Sequence, residues 1–258
     1  MWLRNQLKKI KYLQFVWRVL KNAVYKSKGY EFRIKGINSK FYLPYIMTDD
    51  IQKEILYKKN YFERNDLDFV FKEWHDGVIG KALAKGASLD IGANIGNHTL
   101  YYLNECNAKF VYSFEPMDDT FHILKKNVEI NHLESRTKLY NVGVGCKQGF
   151  ASVSKCIDKN TGYTQLTPSE SDGGIKIVSI DELNIQDKVS FVKIDVEGFE
   201  LEVIKGMLSL LKRDIPFIMM ELWHSNYDET IDILKNLGYD FEVIDEYPTA
   251  RDCLFYVN

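Results

Sequence analysis

Ser88-Leu89-Asp90-Ile91-Gly92-Ala93-Asn94-Ile95-Gly96-Asn97-His98-Thr99-Leu100 decides the fold of this chain. An apolar strand ends on an aspartate, turns through two glycines and runs into a helix. Glycines at such a turn allow positive φ and let backbone approach a ligand closely. The helix that follows aims free N–H groups and a positive dipole end at whatever lies above the strand. In an open α/β sheet that position, at the carboxyl end of the first strand, is where small molecules bind. A nicotinamide or flavin fingerprint requires Gly-x-Gly-x-x-Gly. Here Gly92 and Gly96 are separated by three residues, with Asn94 and Asn97 at the other two glycine positions. There is no Gly-Lys-Ser/Thr of a phosphate-binding loop. Asp90 also disfavours an anion and suits an ammonium or sulfonium, with an attraction of roughly 4 kcal/mol at 4 Å and moderate dielectric.

Working outward, strand and helix alternate from residue 88 onward, the signature of a doubly wound parallel sheet. The strands expected are 87–91, 109–114, 137–142, 189–194 and 217–220, with helices at 97–105, 118–131, 198–212 and 228–237. An inserted hairpin is expected from 149–154 and 174–179 around a polar loop, 155–173. A final antiparallel hairpin is expected from 239–245 and 252–257. The fold class is therefore α/β, with a seven-stranded Rossmann-like sheet. Ahead of it, 29–47 reads as a hairpin and 49–59 and 64–84 as helices, the second stopped by Lys85-Gly86. The division expected is a basic extension, 1–60, and a main domain, 61–258.

Residues 1–28 carry eight lysines and arginines and no acid. Leu3, Leu7, Ile10, Leu13, Trp17, Leu20 and Val24 recur at helical spacing. Such a helix either lies on anionic lipid or docks on the body of the protein or a second subunit. The basic residues interrupt any signal-peptide core. A net charge of −2 over 258 residues gives no nucleic-acid footprint. Cys106, Cys146, Cys156 and Cys253 form no C-x-x-C pair, which fits reduced thiols and a cytoplasmic location. No apolar run is long enough to span a bilayer.

Four acids, Asp90, Glu115, Asp195 and Glu221, each close an apolar strand, and parallel strand ends share one edge of the sheet. Glu115 falls 23 residues after Gly92, where a carboxylate can accept from both hydroxyls of an unphosphorylated ribose. Asn141-Val142-Gly143-Val144 and the pair Met117-Asp118 are placed to flank a purine. Gly92, Asn94, Gly96, Asn97 and Thr99 complete the expected cofactor set with Asp90. Asp195 and Glu197 open the turn after the fourth strand; close carboxylates there offer a general base or metal ligation, although Glu197 equally suits a helix cap. Asp195, Glu221 and His224 can share one divalent cation, with Mg, Ca or Mn favoured by oxygen ligands and Mn or Fe by the histidine. His224 is also a candidate base, and His98 is either a site residue or a cap.

Taken together, these motifs resemble the FkbM-type S-adenosylmethionine (SAM)-dependent methyltransferases. The resemblance rests on Leu89–Leu100, Phe114-Glu115-Pro116, Ile180-Asp181-Glu182-Leu183, Lys193–Gly198, Glu200–Gly206 and Glu221, and covers roughly residues 86–225. It implies SAM as cofactor and O-methylation, commonly of sugars in surface polysaccharides, glycolipids or secondary metabolites. A nucleotide-linked sugar or glycan precursor is then the expected acceptor. Some similar small-molecule enzymes hold a divalent metal at the ends of strands four and five, where Asp195 and Glu221 stand. The alternatives are a non-sugar acceptor, a carboxyl or amine acceptor, a nicotinamide-dependent sugar oxidoreductase, and a SAM-binding scaffold at a membrane. Residues 1–60 and 155–173 fall outside the motifs and are expected to carry substrate choice.

Overall fold

The computed structural model describes residues 21–27, 29–157, 160–169 and 174–258. Most of the N-terminal basic stripe, Leu3 to Leu20, lies outside the described residues; 21–27 are helical. No helix among the described residues is long and apolar enough to cross a membrane.

Thirteen strands are described. The central sheet uses β3 (Ala87–Ile91), β4 (Phe110–Phe114), β5 (Thr137–Tyr140), β10 (Val189–Ile194), β11 (Phe217–Trp223), β12 (Asp240–Glu246) and β13 (Ala250–Tyr256). Their order is β12-β13-β11-β10-β3-β4-β5. The strands from β11 to β5 run parallel, and β13 lies antiparallel between β11 and β12. Chain order reverses between β3 and β10, so the edge above those two strands is the topological switch point, where open α/β sheets bind ligands.

Every residue of β3 is buried, as a central parallel strand covered on both faces requires. One apolar cluster, with Val111, Phe191 and Leu254 from the sheet, takes in the hairpin β1 (Glu31–Arg33) and β2 (Lys40–Tyr42) and the segments that follow it. The other, with Leu89, Val192 and Met220, lies beneath α6 (Glu200–Lys205), α7 (Leu208–Asp214) and α8 (Tyr227–Asn236). Helices α1 (Asp50–Lys58), α2 (Arg64–Asp68), α3 (Val78–Leu83), α4 (Asn97–Asn104) and α5 (Asp118–Ile130) precede them in the chain. The hairpin is tied to α5 through polar groups as well: the Tyr42 N–H donates to Asn127 Oδ1 at 2.5 Å and the Lys40 N–H to Asn131 Oδ1 at 2.8 Å.

Three expectations change. The helix at 64–84 is broken: α2 passes into a wide turn, Phe69–Glu73, and His75, Asp76 and Gly77 are all left-handed before α3 begins. The cause is close packing of the two arms. A Cβ on Gly80 would lie 2.4 Å from the Phe71 carbonyl oxygen, so only glycine lets α3 fold back against the turn. The helix at 198–212 is two helices. At Gly206 a Cβ would lie 2.0 Å from the Gly145 carbonyl oxygen, and the chain bends there to admit that contact. Finally, 155–173 is not simply a loop. β7 (Gly149–Ile157) pairs antiparallel with β8 (Asn160–Ser169), and β9 (Ile175–Val178) pairs with β7 on its other side and with β6 (Gly143–Val144). Thr161, Tyr163, Thr164 and Thr167 supply the β-branched and aromatic content of that longer strand.

Candidate active site

The carboxyl ends of the central strands open into a cavity of about 570 Å³. Sheet order sets the order of side chains across it. Glu115 and Met117 follow β4, Val142 and Gly143 follow β5, Gly92 and Asn94 follow β3, and Asp195 and Glu197 follow β10; all of these line the cavity. Beyond them lie Glu221 on β11 and Asp252 on β13. Leu166 of β8 closes one side.

The glycine turn is packed closely against the end of β10. Gly92 has φ +77°, and a Cβ there would stand 1.8 Å from the Asp195 carbonyl oxygen. Asn94 is left-handed at φ 50°, and so are Glu63 and Glu197 elsewhere in the wall. Non-glycine residues in this region cost about 1–3 kcal/mol each and concentrate at ligand sites. Asn94 repays its conformation with a contact: its N–H donates to Glu115 Oε2 at 3.0 Å, while the Met117 N–H donates to Oε1 at 2.9 Å. Each carboxylate oxygen thus accepts one backbone bond and keeps a lone pair for the cavity. Glu115 is 6% exposed, and burial pushes its carboxyl up to about 7 against the pull of those two N–H groups.

Several expected cofactor contacts lie one row deeper. Asp90 and Thr99 are fully buried and are not part of the wall. Thr99 Oγ1 donates to Asp90 Oδ2 at 2.5 Å and lies 2.8 Å from Ser113 Oγ. Gly96 is also beneath the surface, where a Cβ would meet Leu124 Cδ1 at 2.7 Å. Asn97 lines the cavity but spends its amide on the chain: it accepts from the Phe62 N–H at 2.9 Å and donates to the Phe62 carbonyl at 3.1 Å. That clamp fixes Glu63, the next residue, over the site.

Lys193 is the residue the sequence reading missed. It is 4% exposed and sits in register between Asp90 on β3 and Met219 on β11. Its Nζ donates to the Gly92 carbonyl and to Asp195 Oδ2, both at 3.0 Å. Burial alone would lower its pKa, but Asp195 and Asp90 outweigh it and the value rises, so the lysine stays charged. Asp90 Oδ1 has no hydrogen-bond partner among the described residues; the ammonium of Lys193 is the charge that faces it. A lysine inside Val-Ser-Phe-Val-Lys-Ile, beside a strand ending in aspartate, is the signal that could have found it.

The metal triad is not assembled. Among the described residues no three His, Cys, Asp or Glu side chains are grouped to hold an ion. His224 is exposed on a turn outside the cavity wall, its backbone N–H bonded to the Thr249 carbonyl at 3.0 Å. It therefore joins Asp195 and Glu221 neither as ligand nor as base. Asp195 and Glu221 do share the cavity.

The acids at the ends of β10, β11 and β13 are crowded. Burial, then Asp195 and Glu197, push Glu221 up to about 9. Burial, then Asp195, push Asp252 up to about 6. Glu63 is pushed upward in the same direction, by burial of its carboxyl and then by Asp195, but the residue as a whole is exposed to solvent, which screens those charges, so Glu221 is the firmer of the two. Glu115 and Glu221 bind protons in the folded state that the unfolded chain releases near 4.5. Folding stability therefore falls as pH rises through that window. His98, held neutral by burial and by Lys193, has the opposite trend only below its ordinary value of 6.5. The ligand-free protein should melt at progressively lower temperature from pH 6.5 to 9. A Tm that climbs over that range in differential scanning calorimetry would contradict the crowding.

Residues 90–241 match the methyltransferase FkbM domain model. The chain belongs to the FkbM methyltransferase family. The matched stretch of this FkbM domain begins on Asp90 and takes in both glycines, Glu115, Asp195 and Glu221. Hexuronic acid methyltransferase AglP of Haloferax volcanii is 33% identical to it over 152 residues, 58% of this chain and 60% of AglP. The chain thus spans about three fifths of the length of that relative. Methyltransferase sdnD of Sordaria araneosa is 24% identical over 214 residues, 68% of this chain and 83% of sdnD. In the crystal structure of methyltransferase FkbM from Methylobacillus flagellatus KT, 22% identical, the superposition has a TM-score of 0.50 and covers 66% of this chain and 43% of the other. That likeness is one of fold.

Proposed function

We propose that this FkbM domain is a SAM-dependent O-methyltransferase acting on a hydroxyl of a sugar, carried on a nucleotide or a glycan precursor in surface polysaccharide assembly. The observation that carries the reading is Glu115. Both its oxygens are aimed by backbone N–H groups, and each keeps one acceptor position for the neighbouring hydroxyls of a ribose. Met117, Val142 and Leu166 give the same end of the cavity apolar walls for a purine. The carboxylates toward β10 and β11 suit a sulfonium cation. The name of AglP, a hexuronic acid methyltransferase, supports a sugar as acceptor.

When bound, SAM supplies the methyl group as a sulfonium electrophile. The residues of the chain do the rest. Glu115 holds the ribose. Lys193 ties the Gly92 turn to Asp195, so that cofactor floor and acceptor wall move as one. Glu197, on its left-handed turn, accepts the proton of the acceptor hydroxyl. Among the described residues no side chains are grouped as a metal site, and no step is assigned to an ion. Most of the acceleration would come from positioning two reactants, worth up to about 7–11 kcal/mol.

The reading is tested with labelled SAM and a panel of nucleotide sugars. Glu197→Gln is expected to lower kcat by about 10²–10⁴-fold with SAM affinity within about twofold of the parent. Unchanged kcat removes Glu197 as the base, and the absence of transfer to any sugar removes the sugar.

A further inference from the structure

Glu200 opens α6 with its side chain turned back toward the preceding turn, and it is fully buried. Its Oε1 accepts from the Gly198 N–H at 2.6 Å and its Oε2 from Asn226 Nδ2 at 2.9 Å. The same Asn226 nitrogen donates to the Gly198 carbonyl at 3.0 Å. A carbonyl can only accept, so the nitrogen of the Asn226 amide is the atom that faces it. Three bonds thus close a ring through Gly198, Glu200 and Asn226, and both backbone polar groups of Gly198 are held.

Starting a helix does not call for this arrangement. An exposed Ser, Thr, Asp or Asn at the N-cap is enough, whereas the N-cap of α6, Phe199, makes no side-chain cap bond. Burying a carboxylate is costly without a counter-charge, and among the described residues Glu200 has no ion-pair partner. Asn226 also comes from outside α6: it ends the short turn His224–Asn226 after β11, 26 residues beyond Glu200. What the ring holds is the turn that carries Glu197. Glu197 is left-handed at φ 53°, and Gly198 follows at φ 102°. A non-glycine residue keeps such a conformation only where its surroundings enforce it, and such residues collect at functional sites. Glu197 lines the cavity, while Glu200 and Asn226 stand behind the wall.

We infer that Glu200 and Asn226 are positioning residues for methyl transfer: together they lock the Gly198 peptide, and with it the direction in which the Glu197 carboxylate meets the acceptor hydroxyl. The inference rests on the reading of Glu197 as the base and deepens it. Through Asn226 the turn after β11 is fastened to the turn after β10. The His224 N–H, bonded to the Thr249 carbonyl, ties that same turn to the connection between β12 and β13. The base is therefore held by three strand ends rather than by its own loop alone.

The test is a kinetic cycle on the full chain with labelled SAM and the panel of nucleotide sugars. Asn226→Ala alone is expected to lower kcat about 10- to 100-fold, with SAM affinity within about twofold of the parent, because a misplacement of about 1 Å can cost that much. In the Glu197→Gln background the same substitution is expected to change kcat by less than about twofold, since groups that act as a unit are not additive. Glu200→Gln keeps the size of the side chain but sets a second donor against Asn226 Nδ2. It should show the same pattern, and it carries the cycle if Asn226→Ala does not fold. Equal losses in both backgrounds mean a merely structural role and overturn the inference while leaving the methyltransferase reading intact. Parent kcat in Asn226→Ala overturns it too. Unchanged kcat in Glu197→Gln removes the base and its positioning residues together, and no transfer by the parent to any sugar overturns the sugar reading and this inference with it.

Discussion

Lys193→Met should abolish methyl transfer and lower Tm by roughly 8–15 °C. The lysine is the cation common to two carboxylates in the switch region. Asp195 is bonded to it at 3.0 Å, and Asp90, fully buried, lies beside it in register on β3. Methionine fills the same volume, so packing changes little. What changes is that two acids lose their compensating charge, one of them with an oxygen that already lacks a hydrogen-bond partner. Removing one member of a buried charge group costs about 3–5 kcal/mol, and a chain of this size loses about 2–4 °C per kcal/mol. The Gly92 carbonyl would also lose its tie to Asp195. Calorimetry and the transfer assay check both halves. A variant with wild-type Tm would mean that Asp90 is protonated and needs no partner.

Gly92→Ala should be nearly as severe for a different reason. The residue is left-handed at φ +77°, and the new Cβ would be placed 1.8 Å from the Asp195 carbonyl oxygen. Left-handed backbone costs an alanine about 1–2 kcal/mol. The clash is with backbone, not with a side chain that can swing away, so β3 and β10 must part at their carboxyl ends. The Asp195 N–H bond to the Ile91 carbonyl, 3.1 Å long, spans that joint. The expected result is loss of SAM binding with a Tm drop of about 5 °C or more. SAM affinity within a few fold of the parent would show that the joint is slack and that the turn does not shape the site.

The parts of this architecture that were legible in the sequence are those set by local chemistry. Gly92 and Gly96 stand where backbone must turn, and acids close strands that are otherwise apolar. From these come the parallel sheet, its switch point and the placing of Glu115, Asp195 and Glu221 in one cavity. The illegible parts depend on contacts between distant segments. Gly80 looks like a tolerated glycine in a helix until it lies against the Phe71 carbonyl. Gly206 looks like a helix interior until Gly145 meets it. Asp90 was expected to face the ligand, but Thr99 and Lys193 take it inward. His224 directly follows Trp223, which lines the cavity, but lies just beyond the end of β11 and is exposed to solvent. Glu63 has no sequence motif at all; Asn97 sets its position by clamping Phe62.

The most direct measurement is a calorimetric titration of SAM into the parent protein and into Glu115→Ala, with NAD as the control ligand. The account predicts that SAM binds at one site, that NAD does not, and that the variant loses affinity about tenfold or more, as expected when a charged acceptor of two hydroxyl hydrogen bonds is removed. Equal SAM affinity in parent and variant, or tighter binding of NAD than of SAM, would contradict it.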